Sequence, residues 1–207
     1  MNAIMQTLDY FHKGGLIMYP LLICSIIVVA ITVERYLYFK AVDSGNDFAE
    51  KFCALLRNDQ WQQALELSTN TTGDNARIIS ESMQRFAAGR KNIQGYIESE
   101  AGMSIARMRF RLSYLGVIVT MAPLLGLLGT IFGMISSFSV FDLQAGQPTA
   151  ITAGIGEALI ATATGICVAV LALCAHSYFA HRLDTMVTNM EECASKLLEV
   201  AADRGGK

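Results

Sequence analysis

Residues Ala150–Ala180 read AITAGIGEALIATATGICVAVLALCAHSYFA, and Glu157 is the one acid in that run. The run exceeds the ~20 residues that cross a bilayer as a helix. A carboxyl group at that depth costs at least ~2.5 kcal/mol on insertion scales, so it normally has a partner or a water-filled path. Two hydroxyls, Thr162 and Thr164, follow it in the same predicted helix. An acid and hydroxyls inside a membrane helix point to ion or proton movement. Glu157 lies near the start of the run, so a position facing outer water is the alternative.

The rest of the chain fits the same class. It has 207 residues, of which 53% are hydrophobic and 16% charged. A soluble domain carries about 25% charged residues. Three apolar segments account for the difference: Leu16–Val33, with aromatics up to Phe39; Leu112–Val140; and Ile151–Phe179. The first is too long for a signal-peptide core and has no A-x-A site after it, so it reads as a retained span. Tyr19, Tyr36, Tyr38 and Phe39 suit the aromatic belts of membrane interfaces. The net charge of -2 gives no reason to expect a nucleic-acid partner. The five cysteines show no CxxC pair or zinc spacing and read as inert thiols. His176 and His181 read as interfacial residues. No metal and no cofactor is expected.

Basic residues set the expected direction. Ten lysines and arginines lie between Lys40 and Arg111, with Arg107, Arg109 and Arg111 at the entrance of the second span. The link FDLQAGQPTA has none, and the tail carries Arg182, Lys196, Arg204 and Lys207. The expected organisation is therefore a periplasmic N-terminus and first span over 1–40 and a cytoplasmic helical region over 41–111. The second span follows over 112–140, a periplasmic link over 141–150, the third span over 151–180 and a cytoplasmic helical tail over 181–207. Residues 47–67 and 76–88 read as helices, with a turn cluster from Asn70. Ile97, Ala101, Ile105, Met108 and Leu112 form one face leading into the second span. Leu183, Met186, Met190, Cys193, Leu197 and Val200 recur near the heptad period, which makes the tail a continuation of the third span.

Spans two and three carry stripes of small residues. Pro123, Gly126, Thr130, Gly133 and Ser137 are spaced 3, 4, 3 and 4 and share a helix face. Gly129 and Gly133 form a GxxxG, which permits close backbone approach. Pro123 removes a helix hydrogen bond. In span three, Gly154, Glu157, Ala161 and Thr164 share one face, and Ala158, Thr162, Gly165, Ala169 and Ala172 share the adjacent one. Such faces suit tight packing around something slender, such as another helix. Alone they equally describe ordinary helix packing. Three spans bury too little polar surface for a conduction path by themselves, so an oligomer or a partner helix is implied.

At this point the strings APLLGLLGTIFGM (122–134) and GEALIATATGICVAV (156–170) resemble the MotA/TolQ/ExbB proton-channel family, in its three-span ExbB/TolQ branch. Glu34-Arg35 resembles the pair that follows the first helix in many members. The resemblance implies an all-α membrane protein with three transmembrane helices and long cytoplasmic helical extensions. It implies a homopentamer in the bacterial inner membrane around a dimer of a single-span ExbD/TolR-like protein, whose aspartate carries the proton. It implies that the work reaches a TonB/TolA-like protein and drives TonB-dependent transport or envelope processes. By motif position, Thr130 and Thr162 line the proton path and Glu157 lies towards its outer end. Pro123, Gly126, Gly133, Ser137, Ala161, Thr164 and Gly165 serve helix packing or pore shape. The VAIPA-like proline seen late in span three of several relatives is replaced by Val168-Ala-Val-Leu-Ala. A stand-alone channel or transporter and a structural scaffold are the competing readings. Neither broken repeats nor a nucleophile–base set supports a transporter or an enzyme.

Overall fold

The computed structural model describes residues 15–90, 92–143 and 148–205, and every regular element among them is an α-helix. The elements are α1 (Met18–Val42), α2 (Asn46–Arg57), α3 (Trp61–Asn70), α4 (Asp74–Ala87), α5 (Ile93–Leu143) and α6 (Pro148–Gly205). Three of them, α1, α5 and α6, are long and apolar enough to cross a membrane. α5 has 51 residues and α6 has 58. At 1.5 Å per residue each exceeds ~70 Å, more than twice the ~30 Å hydrocarbon core. Each therefore joins an apolar stretch to a polar one without a break.

Two boundaries differ from the sequence expectation. The helix expected over 47–67 is two helices, because the chain turns at Asn58–Gln60. Asp59 takes a left-handed φ of 56° there, and Gln60 N donates back to Leu55 O at 2.9 Å. Asp and Asn tolerate that conformation better than most residues, so a pattern of apolar spacing misses the stop. The link expected over 141–150 is mostly helical, since α5 reaches Leu143 and α6 starts at Pro148. Proline suits a first helical position because its missing N–H would be unbonded anyway. Residues 144–147, like Lys13, Lys91 and Lys207, lie outside the described residues.

The chain divides into two compact units. The first comprises the described parts of Met1–Val33 and Ser113–Ser177. Its interior is Leu21, Val28, Leu115, Ile118 and a run of alanines, Ala122, Ala158, Ala161 and Ala172. Its outside is the opposite of a soluble domain. Leu124, Leu127, Phe132, Ile135, Leu159 and Leu171 all point outward and are more than half exposed. An apolar coat of that extent needs lipid or other subunits against it.

The second unit comprises Glu34–Leu112 and Tyr178–Lys207. Phe39 meets Phe179 with ring centroids 5.5 Å apart. Phe52, Leu56, Ile79 and Met83 of the short helices are buried, as are Leu183, Met186, Met190, Cys193 and Leu197 of α6. After Leu197 the stripe continues to Ala201, buried, rather than to the expected Val200, which is half-buried. A straight helix drifts ~20° per heptad from a strict 3.5 repeat, which moves the seam by one position. Asn75 Nδ2 donates to Cys193 Sγ at 3.6 Å. Burial is the main cause that pushes the Cys193 thiol up to about 12 from its ordinary 9.0. Arg35 is buried, with 3% of its surface exposed. It pairs with Glu34 at 2.6 Å, donates to the Arg107 and Met108 carbonyls at 3.4 Å and lies over the Tyr38 ring at 4.3 Å.

Candidate functional site

In the first unit, the small-residue stripes of α5 and α6 pack against each other. A Cβ on Gly126 would lie 3.0 Å from Thr162 Cα and 3.1 Å from the Ala161 carbonyl. A Cβ on Gly165 would lie 2.6 Å from the Ala122 carbonyl and 3.0 Å from Gly126 Cα. One on Gly133 would meet the Gly154 carbonyl at 2.9 Å, and one on Gly154 would overlap the Ser137 hydroxyl. The two backbones are in direct contact, the close approach that small residues permit between membrane helices. The slender body that these faces hold is, within the protomer, the other long helix of the same chain. Gly126, Gly133, Ser137, Ala161 and Gly165 are buried in this seam, while Pro123 and Thr130 are half-buried at its edge.

The hydroxyls are tied to backbone. Thr162 Oγ1 lies 3.1 Å from Gly126 O on α5 and 3.2 Å from Ala158 O on its own helix, so its single hydrogen is shared between the helices. Thr130 donates to Leu127 O at 2.6 Å, Thr164 to Ile160 O at 2.8 Å and Ser137 to Gly133 O at 2.8 Å. Donation leaves each hydroxyl oxygen free to accept. A threonine oriented in this way can receive a hydrogen bond from a protonated acid and release it without moving. Thr130 sits one turn along α5 from Gly126, so it and Thr162 border the same side of the seam.

Glu157 does not share that side. At 3.6 residues per turn it lies about 140° around α6 from Thr162 and only about 20° from Thr164. Its carboxyl group rests on the segment that starts α1. A Cβ on Gly15 would overlap Glu157 Oε1 and lie 2.8 Å from its Cδ. Next to it, a Cβ on Gly129 would lie 3.6 Å from Ile17 and 2.6 Å from the Ala161 methyl. The three residues expected to form one path thus divide into Thr130 with Thr162 on one flank and Glu157 on the flank of α1. Sequence spacing could show the angle between Glu157 and Thr162 but not which neighbour each faced. Gly15 and Ile17 were missed, since a glycine pair before an apolar run reads as an ordinary helix start. Glu34-Arg35 after the first span and Arg111 at the entrance of the second were each visible in the sequence, but not their meeting; Arg111 Nη1 reaches Glu34 at 3.0 Å. Among the described residues no group of three or more His, Cys, Asp or Glu side chains is placed to hold a metal.

A helical membrane protein with a glycine-lined seam between its two longest helices is the class this geometry defines. Residues 70–192 match the MotA/TolQ/ExbB proton channel family. An ExbB-like biopolymer transport protein of Synechocystis is 33% identical over 81% of this chain and 68% of its own length. The biopolymer transport protein ExbB of Salmonella typhimurium is 27% identical over 77% of this chain and 62% of its own. The Tol-Pal system protein TolQ of Pseudomonas aeruginosa is 32% identical over 39% of this chain and 36% of its own. The chain belongs to the MotA/TolQ/ExbB proton channel family.

Proposed function

We propose that this chain is the channel-forming subunit of an inner-membrane motor driven by the proton-motive force. In this reading it forms a homopentamer around a dimer of a single-span ExbD/TolR-like protein. The motor energises TonB-dependent transport or envelope processes through a TonB/TolA-like protein. The observation that carries the reading is membership of the family, whose match covers the whole of α5 and most of α6. The outward apolar coat of the first unit supports it, because a coat of that extent suits a subunit lying among lipid and copies of itself.

The N-terminus is assigned to the periplasm and the regions 41–111 and 181–207 to the cytoplasm, on the excess of Lys and Arg there. Thr130 and Thr162 are assigned to the wall of the proton path, as acceptors for the partner's acid. Glu157 is assigned to the outer end of the third span. Pro123 shapes the same wall, since Val119 O gains no helix donor from it. Native mass spectrometry of the chain co-expressed with the single-span protein encoded beside it tests the assembly. A pentamer holding a dimer is the expected species. A lone oligomer that ignores every single-span candidate would sink the motor and favour a stand-alone channel or a scaffold.

A further inference from the structure

We infer that Glu157 is a positioning residue, whose carboxyl group seats the first turn of α1 against α5 and α6. Gly15 lies directly under that carboxyl group. Its φ of +70° is a left-handed conformation, and any side chain there would occupy the space that Glu157 fills. Immediately after it, Ile17, Met18 and Leu21 are buried. Ile17 reaches Gly129 on α5 at the point where Gly129 meets Ala161 on α6. Three backbone bonds close the turn: Met18 N to Gly15 O at 3.2 Å, Tyr19 N to Leu16 O at 3.4 Å and Leu21 N to Ile17 O at 3.3 Å.

The chemistry favours an acid at this place. The backbone carbonyls of Gly15, Leu16 and Ile17 already take the first N–H groups of α1, and the helix dipole makes that end positive. A carboxyl group set against the start of α1 answers that positive end without a lysine or arginine from another span. It also accounts for an acid in an otherwise uncharged stretch. The cost of placing it in the membrane is met locally, by the end of a helix. Thr162, about 140° away around α6, plays no part in the contact. The contact lies within one chain, so it holds whether or not the chain drives a motor.

Hydrogen exchange at the Met18, Tyr19 and Leu21 amides of the assembled protein reads the seat directly. Glu157→Ala should speed their exchange about fivefold, the equivalent of a lost helix-end interaction. Glu157→Gln keeps the length and an acceptor oxygen and should retain most of the protection. Glu157→Asp is one methylene short and should not. Gly15→Ala should expose the same amides, and adding Glu157→Ala to it should speed them no further. Thr162→Val should leave them unchanged, and the Ile78 and Ile79 amides of α4 serve as the check that the fold is intact. Unchanged exchange in Glu157→Ala, or equal behaviour of the Asp and Gln variants, would overturn the assignment. Proton flux in the same variants separates the two roles of the acid. Loss of flux in a Glu157→Gln protein whose seat is intact would return Glu157 to the proton path. If the unaltered protein carries no flux at all, the motor reading fails while the exchange result stands.

Discussion

Replacing Gly165 with alanine adds one methyl group where the backbones of α5 and α6 touch. That carbon would lie 2.6 Å from the Ala122 carbonyl oxygen and 3.0 Å from Gly126 Cα. Ordinary contact between carbon atoms needs ~3.5–4.0 Å. The helices must therefore separate by roughly 0.5–1 Å, and the obstructing atoms are backbone, which cannot rotate away. Overpacking of this kind costs about 1–3 kcal/mol. Separation would also stretch the 3.1 Å approach of Thr162 Oγ1 to Gly126 O, since Gly126 faces both residues. Two matched controls exist in the same chain. A Cβ on Gly102 or on Gly156 meets nothing within 4 Å. Alanine there should be neutral or should stabilise the helix by up to ~1 kcal/mol, the propensity difference between the two residues. Thermal unfolding of the purified, lipid-reconstituted protein distinguishes the outcomes. For a chain of this size each kcal/mol moves the midpoint by about 2–4 °C. Gly165→Ala should fall by several degrees while Gly102→Ala and Gly156→Ala hold or rise. A Gly165→Ala protein indistinguishable from those controls would refute the seam.

Other perturbations follow from the same contacts. Thr162→Val keeps the shape and removes one shared hydrogen bond, so stability should drop by only about 0.5–1.5 kcal/mol. Proton flux in vesicles holding the partner should nonetheless be lost, and Thr162→Ser should restore it; full flux through the valine variant would remove Thr162 from the path. Arg35→Lys should destabilise nearly as much as Arg35→Gln, because an ammonium cannot reproduce the fork that meets Glu34 and the Arg107 and Met108 carbonyls together. Rescue by lysine in a thermal melt would show that charge alone matters there. Cys193 should resist maleimide at pH 8 until the protein is denatured, since burial holds its thiol neutral up to about 12. Its folded value lies above the unfolded one, so the folded state binds the extra proton. Its contribution is intact below pH ~8.5 and is lost as pH rises from there towards the folded value. Cys193→Ala should flatten that alkaline decline.

Much of the fold was legible because a membrane helix is written in one-dimensional terms. Apolar length alone located α1, α5 and α6, and the 3.6-residue spacing of Ile97, Met108 and Leu112 showed that α5 runs on into a polar stretch. What spacing could not show was the partner of each face. The Gly126 and Gly165 stripes read as close-packing surfaces, yet nothing in their period says whether the second helix belongs to this chain or to another. That is a three-dimensional fact, decided by which backbones meet. The turn at Asp59 was hidden for a different reason: apolar residues continue at helical spacing on both sides, and only a left-handed residue and a hydrogen bond spanning five residues, from Gln60 N to Leu55 O, end the helix.

The inward use of the small residues has a consequence for assembly. With Gly126, Gly133, Ala161 and Gly165 committed to the α5–α6 seam, the first unit offers its neighbours mostly Leu, Ile and Phe. In lipid such side chains gain nothing from burial as such, because acyl chains are equally apolar. In the proposed homopentamer, contacts between copies would then rest on shape, on the half-buried hydroxyls at the seam's edge and on polar contacts of the second unit. A subunit built this way is rigid where α5 and α6 touch and weakly committed on its outer faces. That division suits the proposed ring, which would keep its wall intact while shifting against the helices it encloses. It also makes a specific demand: substitutions among the outward residues, such as Leu124→Ile or Leu159→Ile, should leave monomer stability unchanged, and any effect should appear in the oligomer distribution seen by native mass spectrometry. If they instead lowered the melting temperature of an isolated protomer as much as Gly165→Ala does, the separation of a rigid seam from a permissive surface would be wrong.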